Sequence, residues 1–255
     1  MKTQAVTTAI QTKKSALRRG GFTFKQFFVA HDKCGMKVTT DGVILGGWTD
    51  VSHCQRILDI GTGTGLLALM LAQRTDNHVM LDAVEIDDAA SRQAKDNVQA
   101  SLWHQRITVF HADIQEYAEQ TNKRYDLIIS NPPYFPEGSD CRDEARATAR
   151  YTHILSHHNL LVYADKLLAE NGRFALMLPC TSGKSLEQLA VSMGWFTRRR
   201  TWVCDLIDKS PYIVLLELTK SSCLCDEQRL ITHQTGRKSY TDEFKQLAKD
   251  FYLAL

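Results

Sequence analysis

The stretch Arg56-Ile-Leu-Asp-Ile-Gly-Thr-Gly-Thr-Gly65, running into Leu66-Leu-Ala-Leu-Met70, constrains this chain more than any other. It reads as strand, glycine-rich turn and buried helix, the arrangement that cradles a nucleotide-like cofactor. Glycine lets the backbone approach a ligand closely, and the helix N-terminus offers free N–H groups and a positive dipole. Around it, residues 56–60, 79–86, 107–111, 125–130 and 174–178 form short apolar runs bounded by turn residues, which predict strands. Residues 66–74, 88–102, 114–120 and 160–170 lie between them with the length and composition of helices. Such alternation implies right-handed crossovers and a largely parallel sheet. The last third changes character: 185–193 reads as a helix, 196–203 and 213–218 as a closing antiparallel pair, 230–232 as an added edge strand and 242–253 as a final helix.

At 255 residues and a formal charge of +2, the chain suits one α/β domain. No apolar run approaches the roughly 18–20 residues of a membrane helix, which excludes a spanning protein. Seven cysteines, an odd number, without a secretory hydrophobic start, point to reduced thiols and a cytoplasmic setting. Cys223 and Cys225 make one C-x-C pair that no second pair completes, and His157-His158 reads as a helix start, so no metal is expected. Residues 1–19 form a basic arm without apolar periodicity, ahead of a single domain over 20–255. The arm either lies along phosphates or is a solvated tail. Nothing points to an obligate protein partner.

Details of the glycine loop decide its ligand. A dinucleotide loop needs G-x-G-x-x-G, but the glycines stand at 61, 63 and 65 with Leu66 next, and no Gly-Lys-Ser/Thr follows. Asp59, two residues before Gly61, repels a pyrophosphate and welcomes an ammonium. Glu85, ending the second strand, suits a ribose diol, and Asp113, ending the third element, suits an adenine amino group. Ammonium, ribose and adenine without phosphates describe S-adenosylmethionine, seated on Asp59, Gly61, Thr62, Gly63, Gly65, Leu66, Glu85, Ile86, Asp113 and Ile114. The alternative makes the three acids ordinary strand-end carboxylates.

After the fourth strand comes Asn131-Pro132-Pro133-Tyr134. Consecutive prolines fix φ and leave carbonyls without competing donors. The Asn131 side-chain oxygen and the Pro132 carbonyl then suit the two hydrogens of one amino group, turning its nitrogen lone pair toward a sulfonium methyl. Tyr134 and Phe135 supply stacking faces for an extruded planar base. In-line positioning does the catalysis, and no strong base is needed. As an alternative, the tetrapeptide is a rigid turn.

The Asp-x-Gly-x-Gly-x-Gly loop followed by Asn-Pro-Pro-Tyr resembles class I S-adenosylmethionine-dependent methyltransferases acting on planar nitrogens. These include adenine-N6 and cytosine-N4 DNA enzymes, guanine-N2 ribosomal RNA enzymes and glutamine-N5 enzymes of release factors. The resemblance implies a Rossmann-like α/β fold, with a seven-stranded, mostly parallel sheet, helices on both faces and an N-terminal extension. Phe22-Thr-Phe-Lys-Gln-Phe-Phe-Val-Ala-His31 and Met36-Lys-Val-Thr-Thr-Asp-Gly-Val-Ile-Leu-Gly-Gly-Trp48 resemble, more narrowly, the bacterial valine-tRNA adenine-N6 methyltransferases. The resemblance continues through Ala149-Arg-Tyr151, Ser192-Met-Gly-Trp195 and Phe251-Tyr-Leu253. It implies N6 methylation of the adenosine just 3′ of the anticodon, with tRNA of the valine isoacceptor as partner. It also implies that 37–42 closes over the methionine end of the cofactor, with Thr39 and Asp41 in contact; a packing hairpin that never meets ligand is the alternative. Lys25, Arg142, Arg146 and Arg150 suit RNA phosphates, although Asp143 and Glu144 offer the arginines local ion pairs. Arg198 and Arg200, two apart in a predicted strand, are expected to share a solvent face for the same purpose. A protein glutamine-N5 or ribosomal RNA guanine-N2 methyltransferase remains the rival; a DNA enzyme lacks room for a target-recognition domain, and a non-enzymatic nucleic-acid-binding module would not need Asp59, Glu85 and Asn131 in register.

Overall fold

The computed structural model describes residues 20–33, 37–132 and 155–255. A short antiparallel hairpin, β1 (Gly21–Thr23) and β2 (Phe28–Ala30), precedes helix α1 (Thr40–Trp48). Strands and helices then alternate as β3 (Arg56–Ile60), α2 (Leu66–Arg74), β4 (Met80–Glu85), α3 (Asp88–Gln99), β5 (Ile107–His111), α4 (Ile114–Gln120) and β6 (Tyr125–Ser130). The remainder holds α5 (His157–Leu167), β7 (Leu168–Pro179), α6 (Cys180–Ser192), β8 (Phe196–Cys204), β9 (Ile213–Thr219), β10 (Asp226–Ile231) and α7 (Asp242–Ala248).

Eight strands make one sheet in the order β10-β8-β9-β7-β6-β3-β4-β5. β9 alone is antiparallel to its neighbours, so the other seven carboxyl ends share one edge. The sheet therefore has one strand more than the expected seven. The extra strand, β10, begins with four exposed residues, Asp226-Glu-Gln-Arg229, and buries only Leu230 well. The edge strand expected at 230–232 is therefore present, but it begins at Asp226, because its first four residues lie in water and carry no apolar run. The antiparallel partnership of β8 and β9 follows the sequence reading.

Alternation along β3 sends Ile57 into one apolar cluster and Leu58 and Ile60 into the other. The first cluster takes in α1, α2 and α7, with Val98 of α3. The second takes in α4, α5 and α6. Among the described residues no helix is long and apolar enough to cross a membrane. His157 does open a helix: Ser156 caps it by accepting the Asn159 N–H at 3.1 Å, starting α5 three residues before position 160.

The segment expected to cover the cofactor is a helix, α1, and not a hairpin. Thr39 caps it, its hydroxyl accepting the Gly42 N–H at 3.3 Å. Three glycines in nine residues argue against a helix by about 1 kcal/mol each. Close packing overrides them. A Cβ on Gly42 would stand 2.9 Å from Leu66 Cδ2, one on Gly46 2.7 Å from Met70 Sδ, and one on Gly47 2.8 Å from the Leu247 carbonyl. Gly47→Ala is therefore expected to destabilise the fold by about 1–2 kcal/mol despite its better helix propensity, lowering the thermal midpoint by about 3–6 °C. A midpoint raised by the substitution would show that α7 does not press on α1 this closely.

Candidate active site

Register places the site residues at one height. Ile60 pairs with Val84 on one side and Ser130 on the other. One residue further on stand Gly61, Glu85 and Asn131, at the ends of three adjacent parallel strands. The Ser130 hydroxyl donates to the Ile60 carbonyl at 2.9 Å and fixes the end of β6 against β3. Asn131 and Pro132 are half-buried there. Pro133, Tyr134, Phe135, Arg146 and Arg150, like Arg142 and the arm 1–19, lie outside the described residues.

Gly61, Gly63 and Gly65 take φ of 71°, 56° and 82°, the left-handed region that glycine enters without steric cost. Nothing lies within 4 Å of a Cβ built on Gly61 or Gly63, so the protein leaves open space over both. Beneath this turn sits Asp59, 1% exposed. Its Oδ2 accepts the Thr62 hydroxyl at 2.5 Å, while Oδ1 is buried with no hydrogen-bond partner. Burial, opposed by the Thr62 hydroxyl and the Ala68 backbone N–H and aided by the nearby Glu85 charge, pushes the Asp59 carboxyl up to about 7. An unpaired acceptor under an open glycine turn is a seat for a cation.

Glu85 is buried as well, and burial raises its carboxyl. Its two oxygens accept the N–H groups of Gly63 at 2.8 Å and Asp87 at 2.9 Å. The carboxylate is thus aimed before any ligand arrives. Asp113 caps α4, Oδ1 accepting the Gln115 N–H at 2.7 Å. Leu66 and Ile114 are buried, 8% and 6% exposed, so their side chains are packing residues at this site. Ile86 is half-buried, its carbonyl held by His111 Nε2 at 3.1 Å. Asp41, also half-buried and raised by burial, accepts the Tyr212 hydroxyl at 3.3 Å, tying the first turn of α1 to the start of β9.

Lys25 is engaged elsewhere: its ammonium donates to the Lys249 carbonyl at 2.5 Å and its backbone N–H to Phe251 at 2.8 Å. The expected pair Arg198 and Arg200 is also corrected. The register of β8 against β9 shifts between Thr197 and Arg199, and this bulge undoes simple alternation. Arg198 and Arg199 both reach the fully buried Glu217, and Arg199 stacks on Trp48 at 3.8 Å. Arg200 turns to Glu187 at 2.5 Å and Glu227 at 3.2 Å. These arginines hold the protein together instead of facing a ligand.

One contributor escaped the sequence reading. Buried Asn97 of α3 accepts the Ala30 N–H at 3.0 Å and donates to the carbonyls of Ala30 at 2.9 Å and Thr64 at 2.8 Å. It joins the N-terminal hairpin to the glycine turn. A lone amide on an amphipathic helix offers no signal of that role. Among the described residues no group of three His, Cys, Asp or Glu is placed to hold a metal ion. Cys223 and Cys225 are exposed in the connection between β9 and β10.

Residues 48–180 match the model of the methyltransferase small domain. A protein of Serratia proteamaculans (strain 568) named tRNA1(Val) (adenine(37)-N6)-methyltransferase is 49% identical over 251 residues, 98% of this chain and 96% of that protein. A protein of the same name from Pectobacterium carotovorum subsp. carotovorum (strain PC1) is 50% identical over 240 residues, 94% and 96% of the two chains. Among solved structures, a predicted O-methyltransferase from Agrobacterium tumefaciens matches with a TM-score of 0.64 at 19% identity, covering 84% of this chain and 99% of that one. That likeness bears on the fold alone.

The raised Asp59 carboxyl has a sign that stability can report. The folded state keeps its proton to higher pH than the unfolded chain, so ionisation removes stability as pH climbs from 3.8 through about 7. In unliganded protein, the unfolding free energy of Asp59→Asn relative to wild type is expected to shift in the variant's favour between pH 5 and pH 8, by about 2–3 kcal/mol. A pH-independent difference would mean that Asp59 is solvated.

Proposed function

The chain belongs to the methyltransferase small domain family and, within it, to the tRNA1(Val) (adenine(37)-N6)-methyltransferases, and from that membership we propose that it methylates N6 of adenine 37 in tRNA1(Val), with S-adenosylmethionine as donor. The observation carrying the assignment is the common height of Gly61, Glu85 and Asn131 at the ends of β3, β4 and β6. The residues that would hold the donor and the one that would hold the substrate amine thus stand at adjacent strand ends.

The residues present fit this donor. Asp59, with its unpartnered Oδ1, would hold the ammonium of the methionine end. The space over Gly61 and Gly63 admits the sugar and sulfur region without contact from a Cβ. Glu85 would accept the ribose hydroxyls and Asp113 the adenine amino group, and the first turn of α1, with Thr39 and Asp41, would border the methionine end. When bound, the donor supplies an electrophilic methyl group on sulfonium. Asn131 and the Pro132 carbonyl would hold the two hydrogens of the substrate amine and aim its lone pair. Tyr134 and Phe135 would stack on the extruded base, and Arg146 and Arg150 would take up RNA phosphates, whereas the bonds Lys25 makes to the C-terminal segment assign it to packing. Since the methylated nitrogen sheds its proton to water readily, positioning is the whole of the catalytic task.

Incubation of the enzyme with labelled S-adenosylmethionine and tRNA from a strain lacking it should yield N6-methyladenosine at position 37 by nucleoside mass spectrometry. Label on protein glutamine, with none on RNA, would overturn the assignment. Asn131→Ala is expected to lower kcat by about 100-fold or more while donor affinity stays within about twofold. Because the ammonium needs an ionised Asp59, donor affinity should also fall as pH drops below about 7, a dependence that Asp59→Asn removes together with most of the affinity.

A further inference from the structure

An open pocket of about 710 Å³ lies on the same edge of the sheet as Asn131. Its walls come from the start of α6, the 205–212 connection and residues of β8 and β10. β7, which leads into α6, is the immediate neighbour of β6, and β9, β8 and β10 follow outward. At about 4.8 Å per strand, the pocket extends from roughly 5 to 19 Å beyond the strand carrying the catalytic asparagine. That is the span of a few nucleotides.

Its charge distinguishes it from its surroundings. Arg173, Arg198, Arg199 and Arg200 of this half of the sheet all meet carboxylates: Asp50, Glu217, Glu187 or Glu227. The pocket holds Lys184, Lys209 and Arg229 against a single acid, Asp208. Among the described residues Asp208 pairs only with Lys209, at 4.0 Å between exposed neighbours, a contact that neutralises little. The ammonium of Lys184 stands 5.7 Å from the centre of the Trp202 ring and makes no ion pair among the described residues. Arg229 donates to the carbonyls of Ile207 at 3.2 Å and Lys209 at 2.8 Å and to Cys204 Sγ at 3.1 Å, which shapes the loop, and it makes no ion pair among the described residues. Half-buried Trp202 and Ile207, the latter 69% exposed, add apolar surface between the cations.

Cations spaced around apolar and aromatic surface fit a sugar–phosphate backbone, with phosphates on the ammonium groups and ribose against the ring. We infer that this pocket docks the backbone of the tRNA anticodon arm beside the target nucleotide, a reading that rests on the proposed function and places the RNA over β7 to β10. Arg229 is then a positioning residue for the loop, and Lys184 and Lys209 are the phosphate contacts.

The test measures tRNA affinity between 50 and 200 mM salt, with steady-state kinetics alongside. For Lys184→Gln combined with Lys209→Gln, the slope of log affinity against log salt should flatten by about 1.5–2, near 0.9 per lost contact. KM for tRNA should rise about tenfold, with the effect falling on KM and not on kcat. Lys166→Gln, in the last turn of α5 away from the pocket, should leave the slope unchanged. A double variant with the wild-type slope and KM, or an equal change in Lys166→Gln, overturns the docking while leaving the functional assignment intact. A wild-type enzyme that leaves the tRNA unmethylated overturns both.

Discussion

A carboxylate is held out of water beneath a turn of left-handed glycines, and the rest of the molecule is arranged around that burial. Desolvating Asp59 without a full set of partners costs free energy. The cost is tolerated because β3 is the centre of the parallel half of the sheet, flanked by β4 and β6 and covered by α2. The strand cannot shift to solvate the group without breaking both ladders. Rigidity of the parallel sheet thus keeps a poorly satisfied carboxyl group where a cation could find it.

The two halves of the sheet treat charge in opposite ways. In the parallel half, carboxylates gather at the strand ends: Asp59, Glu85 and Asp113 all border the glycine turn or its neighbours. In the other half, arginines gather, but their partners are internal. Glu217, fully buried, is shared by Arg198 and Arg199. Such clusters hold a bulged strand in register more than they add net stability. Among the described residues, Lys184, Lys209 and Arg229 gather positive charge where the loop after β8 meets the start of α6.

Much of this was legible in the chain. The strands at 56–60, 107–111 and 125–130 and the helices at 66–74 and 114–120 have the predicted bounds, because long-range packing and local apolar pattern agree there. Asp59, Glu85 and Asn131 were legible near the carboxyl ends of predicted strands, while the adjacency of those strands emerged only in the order β6-β3-β4. What was hidden depended on three-dimensional contact. The glycines of α1 read as helix breakers until Leu66, Met70 and Leu247 are seen pressing on them. The β8 bulge reversed the expected facing of Arg198 and Arg200, and the exposed first four residues of β10 left only its end, at 230–232, legible. Asp113 was legible as an acid at a strand end, though its second duty as a helix cap needed coordinates.

Asn97 carries a consequence for how the molecule can change. Its amide bonds both the N–H and the carbonyl of Ala30, as a neighbouring strand would, and with its remaining hydrogen grips Thr64. Hairpin and glycine turn are therefore not separable modules. Grafting another protein's opening segment onto this domain would succeed only if it set a backbone N–H and carbonyl where Ala30 stands; otherwise the graft would leave a buried amide unanswered. Divergence at the amino-terminal end is in this way yoked to a helix almost seventy positions downstream.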